Sequence, residues 1–263
     1  MMKPMLIHLP HSSLQVPPDI RKEILLNDEE LEREMLQLTD RYTDELFACP
    51  NVEIHKNTVS RIVFDPERFR SDSDEEMAKV GMGAIYVKTI SGGLLRRLSE
   101  QRREELMQQL YDPYHAELER KAGTLLQQFG KCLILDGHSF PQVPLSFELD
   151  KNPDRPDICI GTSEFHTPPE LSRRIAGYVT EKGLTVKFNS PFAGTMVPMK
   201  YYMKDKRVSS VMIEVNRKLY MDESTGEKSS GFKAVKSFIG GLLQEILSAA
   251  GISLSAWHSK VDI

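Results

Sequence analysis

The chain has 263 residues, 40% hydrophobic and 27% charged, which is ordinary globular usage and enough for one large α/β domain with a sizeable core. A formal net charge of −4 and an isoelectric point near 6.0 leave no basic footprint, which argues against nucleic acid as a main partner. Cys49, Cys132 and Cys159 form no metal-like pairing and suit a reducing cytosol rather than a disulfide framework, so the expected location is the cytoplasm.

At the N-terminus, Lys3 precedes a short apolar stretch broken by His8 and Pro10. That is neither a secretory signal nor a membrane span. Met5–Leu9 reads as the first buried strand. Asn27 and Glu30 have capping-box spacing, with Leu31, Met35 and Leu38 following at helical intervals. A break at Thr39 suggests a cap for a second helix running through Leu46. Further strands are expected at Val52–His55, Arg61–Phe64 and Ala84–Val87. Asp112-Pro113 reads as an N-cap and first helical residue, dividing the helical stretch from Ser99 to Phe129 in two.

Lys131–Leu135 and Ile158–Ile160 are the next strands. Thr167-Pro168-Pro169-Glu170 reads as a capping box opening a helix that Gly183 ends. Leu184–Lys187 and Val208–Val215 are strands, and Phe232, Val235, Ile239, Leu242, Leu243 and Ile246 form the apolar stripe of a C-terminal helix. Candidate loops are Arg70–Gly83, Ser139–Pro156, Asn189–Pro198 and Met221–Gly231. The first two are expected to help form a site wall, since long loops are usually functional or disordered. Strands alternating with helices predict a three-layer αβα fold around a mixed, mostly parallel sheet. No composition shift marks a linker, so residues 1–263 read as a single domain.

Three residues stand out against this frame. His11, His138 and Glu214 each follow or end an apolar run: Met5 to Pro10, Cys132 to Gly137 and Val211 to Ile213. Ligands of open α/β sheets bind outside the carboxyl ends of strands. Two imidazoles and a carboxylate placed there suit a zinc ion with a base beside it. The plainer reading is a pair of buried histidines and an ion pair from Glu214 to Arg217 or Arg61, because a buried carboxylate is costly unless paired. Neither histidine lies in a His-Glu-x-x-His helix, so a third ligand must come from elsewhere. Asp40 is the best candidate, with Asp44 or Glu45 as substitutes. Arg61 and Arg68 flank a short apolar run, and guanidinium groups there suit an anionic substrate.

These words, in this order, resemble a family. Pro10-His11-Ser12, Thr39-Asp40, Ser60-Arg61 through Asp65 and Arg68, Gly83-Ala84-Ile85-Tyr86 and Tyr111-Asp112-Pro113-Tyr114-His115 carry the first half of the match. Leu135-Asp136-Gly137-His138-Ser139, Pro156-Asp157 through Thr162, Asn189 through Gly194 and Ile213-Glu214-Val215-Asn216-Arg217 carry the second. The chain is similar to the N-formylglutamate amidohydrolases, the N-formylglutamate deformylases of histidine breakdown and their relatives. The resemblance implies a phosphorylase/hydrolase-like, zinc-peptidase-like fold.

It also implies Zn2+, or another divalent metal, on His11, Asp40 and His138, with Glu214 as general base. Arg61, Arg68, Arg217 and Asn216 would bind substrate. The implied reaction is hydrolysis of a small anionic N-acyl amino acid, first of all N-formyl-L-glutamate to formate and L-glutamate. A zinc peptidase or peptidoglycan-type amidase on the same scaffold, and a metal-free module binding an acidic ligand, are the alternatives. The chain departs from the family words at Ser13, Leu38 and Glu67. Glu67 stands where Asn is usual and adds negative charge beside the carboxylate-binding pocket.

Overall fold

A computed structural model describes residues 2–249. Its sheet has six strands: β1 (Met5–Leu9), β2 (Glu53–Lys56), β3 (Cys132–Phe140), β4 (Ile158–Gly161), β5 (Val186–Phe188) and β6 (Val208–Asn216), in the order β2-β1-β3-β6-β4-β5. The pairs β1–β2, β1–β3, β3–β6 and β4–β5 are parallel, and β4–β6 is antiparallel. The sheet is therefore mixed and mostly parallel. Because β1, β3 and β6 run the same way, their carboxyl ends share one edge.

Side-chain alternation splits the strands between two faces. Met5, Ile7, Leu9, Leu133, Leu135, Val211, Ile213 and Val215 pack with α3 (Thr43–Leu46), α6 (Pro169–Glu181) and α7 (Phe232–Ala249). On the other face, Leu6, Cys132, Ile134 and Val208 pack against Leu118, Ala122 and Leu125 of α5 (Asp112–Phe129). The C-terminal stripe holds: Phe232, Val235, Ile239, Leu242, Leu243 and Ile246 are all buried, with Leu247 beside them. Each such side chain contributes about 1.5–3 kcal/mol on burial. A third apolar cluster joins α1 (Pro18–Arg21), α2 (Asp28–Leu38) and α4 (Glu100–Leu106) to the segment around Ile62, Val63 and Phe64. No helix among the described residues is long and apolar enough to cross a membrane. The three cysteines are free thiols, Cys132 and Cys159 buried.

Several expected elements differ. Arg61–Phe64 is a run of turns rather than a strand, and Ala84–Val87 forms no strand. Both are buried in the third cluster, so apolar character there reflects burial and not pairing. Asn27 and Glu30 form the expected capping box. Thr39, however, closes α2 and does not open the next helix, which starts at Thr43 after a left-handed Tyr42 at φ 67°. Asp112 is the first residue of α5 rather than its N-cap, and its carboxylate accepts from Arg70. α4 runs into α5 through a π-helical turn, Met107–Tyr111. A proline ring collides with the carbonyl four residues back in a regular helix, and the wider turn before Pro113 relieves that clash. Thr167 does not cap α6 either: its hydroxyl donates to the Ser210 carbonyl at 2.6 Å and accepts from Ser163 N–H at 2.9 Å. β3 also outruns its expected end by five residues, so His138 lies on the strand and not past it.

Gly161, at the end of β4, lies against the segment carrying Gly194. A Cβ added there would collide with the Gly194 carbonyl oxygen and the Met212 side chain. Gly161→Ala should therefore cost about 1–3 kcal/mol, the usual penalty of overpacking, read as a lower midpoint in chemical denaturation. An unchanged midpoint would mean that the Gly194 segment shifts freely.

Candidate metal centre and its cavity

Three chain segments meet at the shared edge of β1, β3 and β6. His11 follows β1 by two residues, and its carbonyl accepts the Asp40 N–H at 3.0 Å. That bond fixes the turn after α2 against the sheet. His138 and Glu214 are register partners on neighbouring parallel strands, pointing to the same face. His11, Asp40, His138 and Glu214 are all buried.

The far nitrogen of each histidine is held by a buried aspartate. His11 Nε2 donates to Asp65 Oδ1 at 2.8 Å, and His138 Nε2 donates to Asp136 Oδ1 at 2.9 Å. Carboxylates accept only, so Nε2 of each ring carries a proton; a second proton on His138 Nδ1 would donate to Asp40 Oδ2 at 3.2 Å, and although burial would lower His138, Glu67, Asp136 and Asp40 hold it well above the usual imidazole range. Both Nδ1 atoms converge on Asp40 Oδ2, at 3.6 Å from His11 and 3.2 Å from His138. His11 Nδ1 is buried without a hydrogen-bond partner. A metal ion bound there would take the place of that proton and draw on both nitrogens and the carboxylate oxygen.

The spacing suits such an ion. Bonds of ~2.0–2.1 Å to zinc place neighbouring ligand atoms of a tetrahedron roughly 3.3–3.4 Å apart. His11, Asp40 and His138 form a group that could hold a metal. The aspartates supply the outer contacts that orient histidine ligands in such sites. A second group, His8, Glu67, Asp136 and His138, also has metal-like spacing. Its histidines are already satisfied: His8 bonds Asp136 at 2.7 Å and the Tyr114 hydroxyl at 2.6 Å. We read it as the hydrogen-bonded support of His138.

The supporting carboxylates are strongly stabilised. Burial alone would raise Asp65, but Arg61, His11 and Arg68 outweigh it and hold its carboxyl well below the usual range. Besides His11 it accepts from Arg61 at 2.6 Å, the Tyr86 hydroxyl at 2.6 Å and the Glu67 N–H at 3.0 Å. Burial would likewise raise Asp136, but His138 and His8 hold it low. Asp40 Oδ1 accepts from Arg217 at 2.8 Å, which leaves Oδ2 as the oxygen facing both histidines. Glu214 behaves oppositely. Burial, reinforced by Asp40 and Glu67 against the pull of His138 and Arg217, pushes it up to about 8. Its Oε2 has no hydrogen-bond partner, and no described residue forms a salt bridge with it, Arg61 and Arg217 included.

The arginines separate. Arg217 is engaged by Asp40, the Ser139 hydroxyl at 3.1 Å and the Gln37 carbonyl at 2.6 Å. Arg61 is held by Asp65 and the Leu38 carbonyl. Arg68 lines the same cavity with its Nε 3.8 Å from Asp65 and no hydrogen bond from its guanidinium to a described residue. Asn216 lies away from the cavity: its amide donates to the Pro156 carbonyl and its oxygen accepts the Lys218 N–H. Asp44 and Glu45 point to solvent, paired with Lys56 and Lys228. Glu67 reaches between the histidines, 3.3 Å from His138 Nε2 and 3.8 Å from His11 Nδ1.

The cavity around these groups measures about 470 Å³. The Ser139–Pro156 loop walls it, as expected, with Leu145, Phe147 and Glu148. Arg70–Gly83 does not reach it, and Asn189–Pro198 takes that place through Phe192, Ala193, Thr195 and Met196.

The family described as N-formylglutamate amidohydrolase matches residues 3–221, more than four-fifths of the chain. The chain belongs to this family. It is similar to an N-formylglutamate deformylase of Pseudomonas putida, 26% identical over 232 residues, covering 84% of this chain and 83% of that protein. Its fold is that of an N-formylglutamate amidohydrolase structure from Ralstonia eutropha, with a TM-score of 0.82 at 24% identity over 95% of this chain and 94% of the other. A protein of Agrobacterium tumefaciens shares the fold with a TM-score of 0.64 at 21% identity, covering 94% and 90% of the two chains. Within the family frame, Asp65 and Asp136 are residues whose part sequence reasoning missed. The available signal was an acid set against an apolar run, in Val63-Phe64-Asp65 and Leu135-Asp136.

Removing one outer contact should weaken metal binding by about 10–100-fold. We expect that loss for Asp136→Asn in a competition titration with a chromophoric zinc chelator, and near-complete loss for His138→Ala. Asp44→Ala should titrate like the wild type. Unchanged affinity in Asp136→Asn would remove Asp136 from the support of His138.

Proposed function

We propose that the protein is a metal-dependent amidohydrolase acting on a small N-acyl amino acid, with N-formyl-L-glutamate, the family's namesake, as the first compound to test. The observation that carries this reading is the convergence of His11 Nδ1, His138 Nδ1 and Asp40 Oδ2 beside the unpartnered carboxyl of Glu214. Zinc, or another divalent ion, held by His11, Asp40 and His138 would supply a Lewis acid that polarises the amide carbonyl and acidifies water.

The chain's own residues do the rest. Glu214 takes a proton from the attacking water and returns it to the nitrogen of the leaving amine as the C–N bond breaks. A carboxyl raised toward neutrality suits both transfers. Arg68, with free N–H groups in the cavity, binds the substrate carboxylate. Arg61 and Arg217 act as positioning residues, through Asp65 and Asp40. From N-formyl-L-glutamate the products are formate and L-glutamate. The free thiols agree with a cytoplasmic setting.

Glu214→Gln keeps the shape of the side chain but cannot accept the proton. General base catalysis contributes about 10²–10⁴-fold, so turnover of an N-acyl amino acid by the zinc-loaded variant should fall by at least roughly that factor. Bound zinc and melting temperature should stay near the wild type. A variant that is less stable yet retains its turnover would take Glu214 out of the mechanism.

A further inference from the structure

We infer that the cavity is built for an N-acyl amino acid with one carboxylate and an apolar body, and that it disfavours the dicarboxylate N-formylglutamate. This rests on the amidohydrolase reading and adds the substrate class.

The first argument is charge. The described basic side chains lining the cavity, histidines aside, are Arg61, Arg68 and Arg217, and the acidic ones are Asp40, Glu67, Asp136, Glu148 and Glu214. Arg61 and Arg217 are engaged by Asp65 and Asp40. Glu148 is neutralised by Arg155. That leaves Arg68 as the least engaged cation, Arg61 keeping only its Nε–H unsatisfied, while Glu67 carries an opposing charge between the two histidines. A dianion would have one carboxylate without a counter-charge in a partly dehydrated site, which is costly. A monoanion would not.

The second argument is size and surface. N-formylglutamate has about a dozen non-hydrogen atoms of ~20 Å³ each, against ~30 Å³ for a water, so it fills only roughly half of the cavity. The remaining wall includes Phe69, Leu145, Phe147, Phe192, Met199 and Tyr202. Phe69, Met199 and Tyr202 are exposed apolar side chains. Exposed apolar groups lining a cavity suit a ligand that covers them.

The test compares kcat/KM for N-formyl-L-glutamate, N-formyl-L-leucine and N-hexanoylglycine on zinc-loaded protein. The last two distinguish an apolar amino-acid side chain from an apolar acyl group. A misfit group in an apolar pocket changes kcat/KM by roughly 10–200-fold, so at least one monoanion should exceed N-formylglutamate by at least about tenfold. Met199→Ala, at an exposed position, and Phe147→Ala should each lower that preference. Glu67→Gln should raise N-formylglutamate turnover relative to the monoanions. Calorimetric binding to Glu214→Gln should rank the compounds in the same order without turnover. Equal or better use of N-formylglutamate overturns the inference and leaves the amidohydrolase reading standing. No turnover of any N-acyl amino acid overturns both.

Discussion

The rest of the site depends on a repeated pair: a buried aspartate accepting the Nε2–H of a buried histidine. Asp65 does this for His11 and Asp136 for His138. Each pair fixes a ring direction, and together they turn two Nδ1 atoms toward Asp40. Without them each imidazole could rotate or carry its proton on the wrong nitrogen. The fold delivers the rings to one edge of the sheet, and the aspartates decide what they offer there.

Burying this much charge is tolerable because every aspartate in the group is multiply bonded. Asp65 accepts from a histidine, an arginine, a tyrosine and a backbone amide. Asp136 accepts from two histidines and the Met196 N–H. Removing one partner from such a buried network costs about 3–5 kcal/mol. Arg61 and Arg217 are therefore part of the architecture and hold the acids in place. That is a different task from holding a substrate, and it explains why several cavity arginines leave so little free positive charge.

What could be read from the sequence follows a physical divide. The strands leading to His11, His138 and Glu214 are visible in the sequence because apolar runs ending in a titratable group are rare in ordinary cores. Asp40 stood out as an acid at a helix boundary. Arg61–Phe64 misled because burial against α2 and the segment around Tyr86 requires apolar residues whether or not a strand forms. Helix ends at Thr39, Asp112 and Thr167 misled because a tertiary contact or a proline clash overrode the local capping preference. The engagement of Arg61 and Arg217 lay beyond sequence reasoning, since their partners are set by distant segments.

Gly137 separates Asp136 from His138 on β3 and faces the opposite side of the sheet, where a Cβ would crowd Leu9 and Phe47. Slipping a strand by one residue exchanges its two faces. A slip of β3 against β1 would press Asp136 and His138 into that apolar layer and turn Leu135 toward the histidine of β1. Chemistry and folding thus read the same alignment. A chain that pairs these strands wrongly therefore loses its apolar core and the convergence of its histidines together.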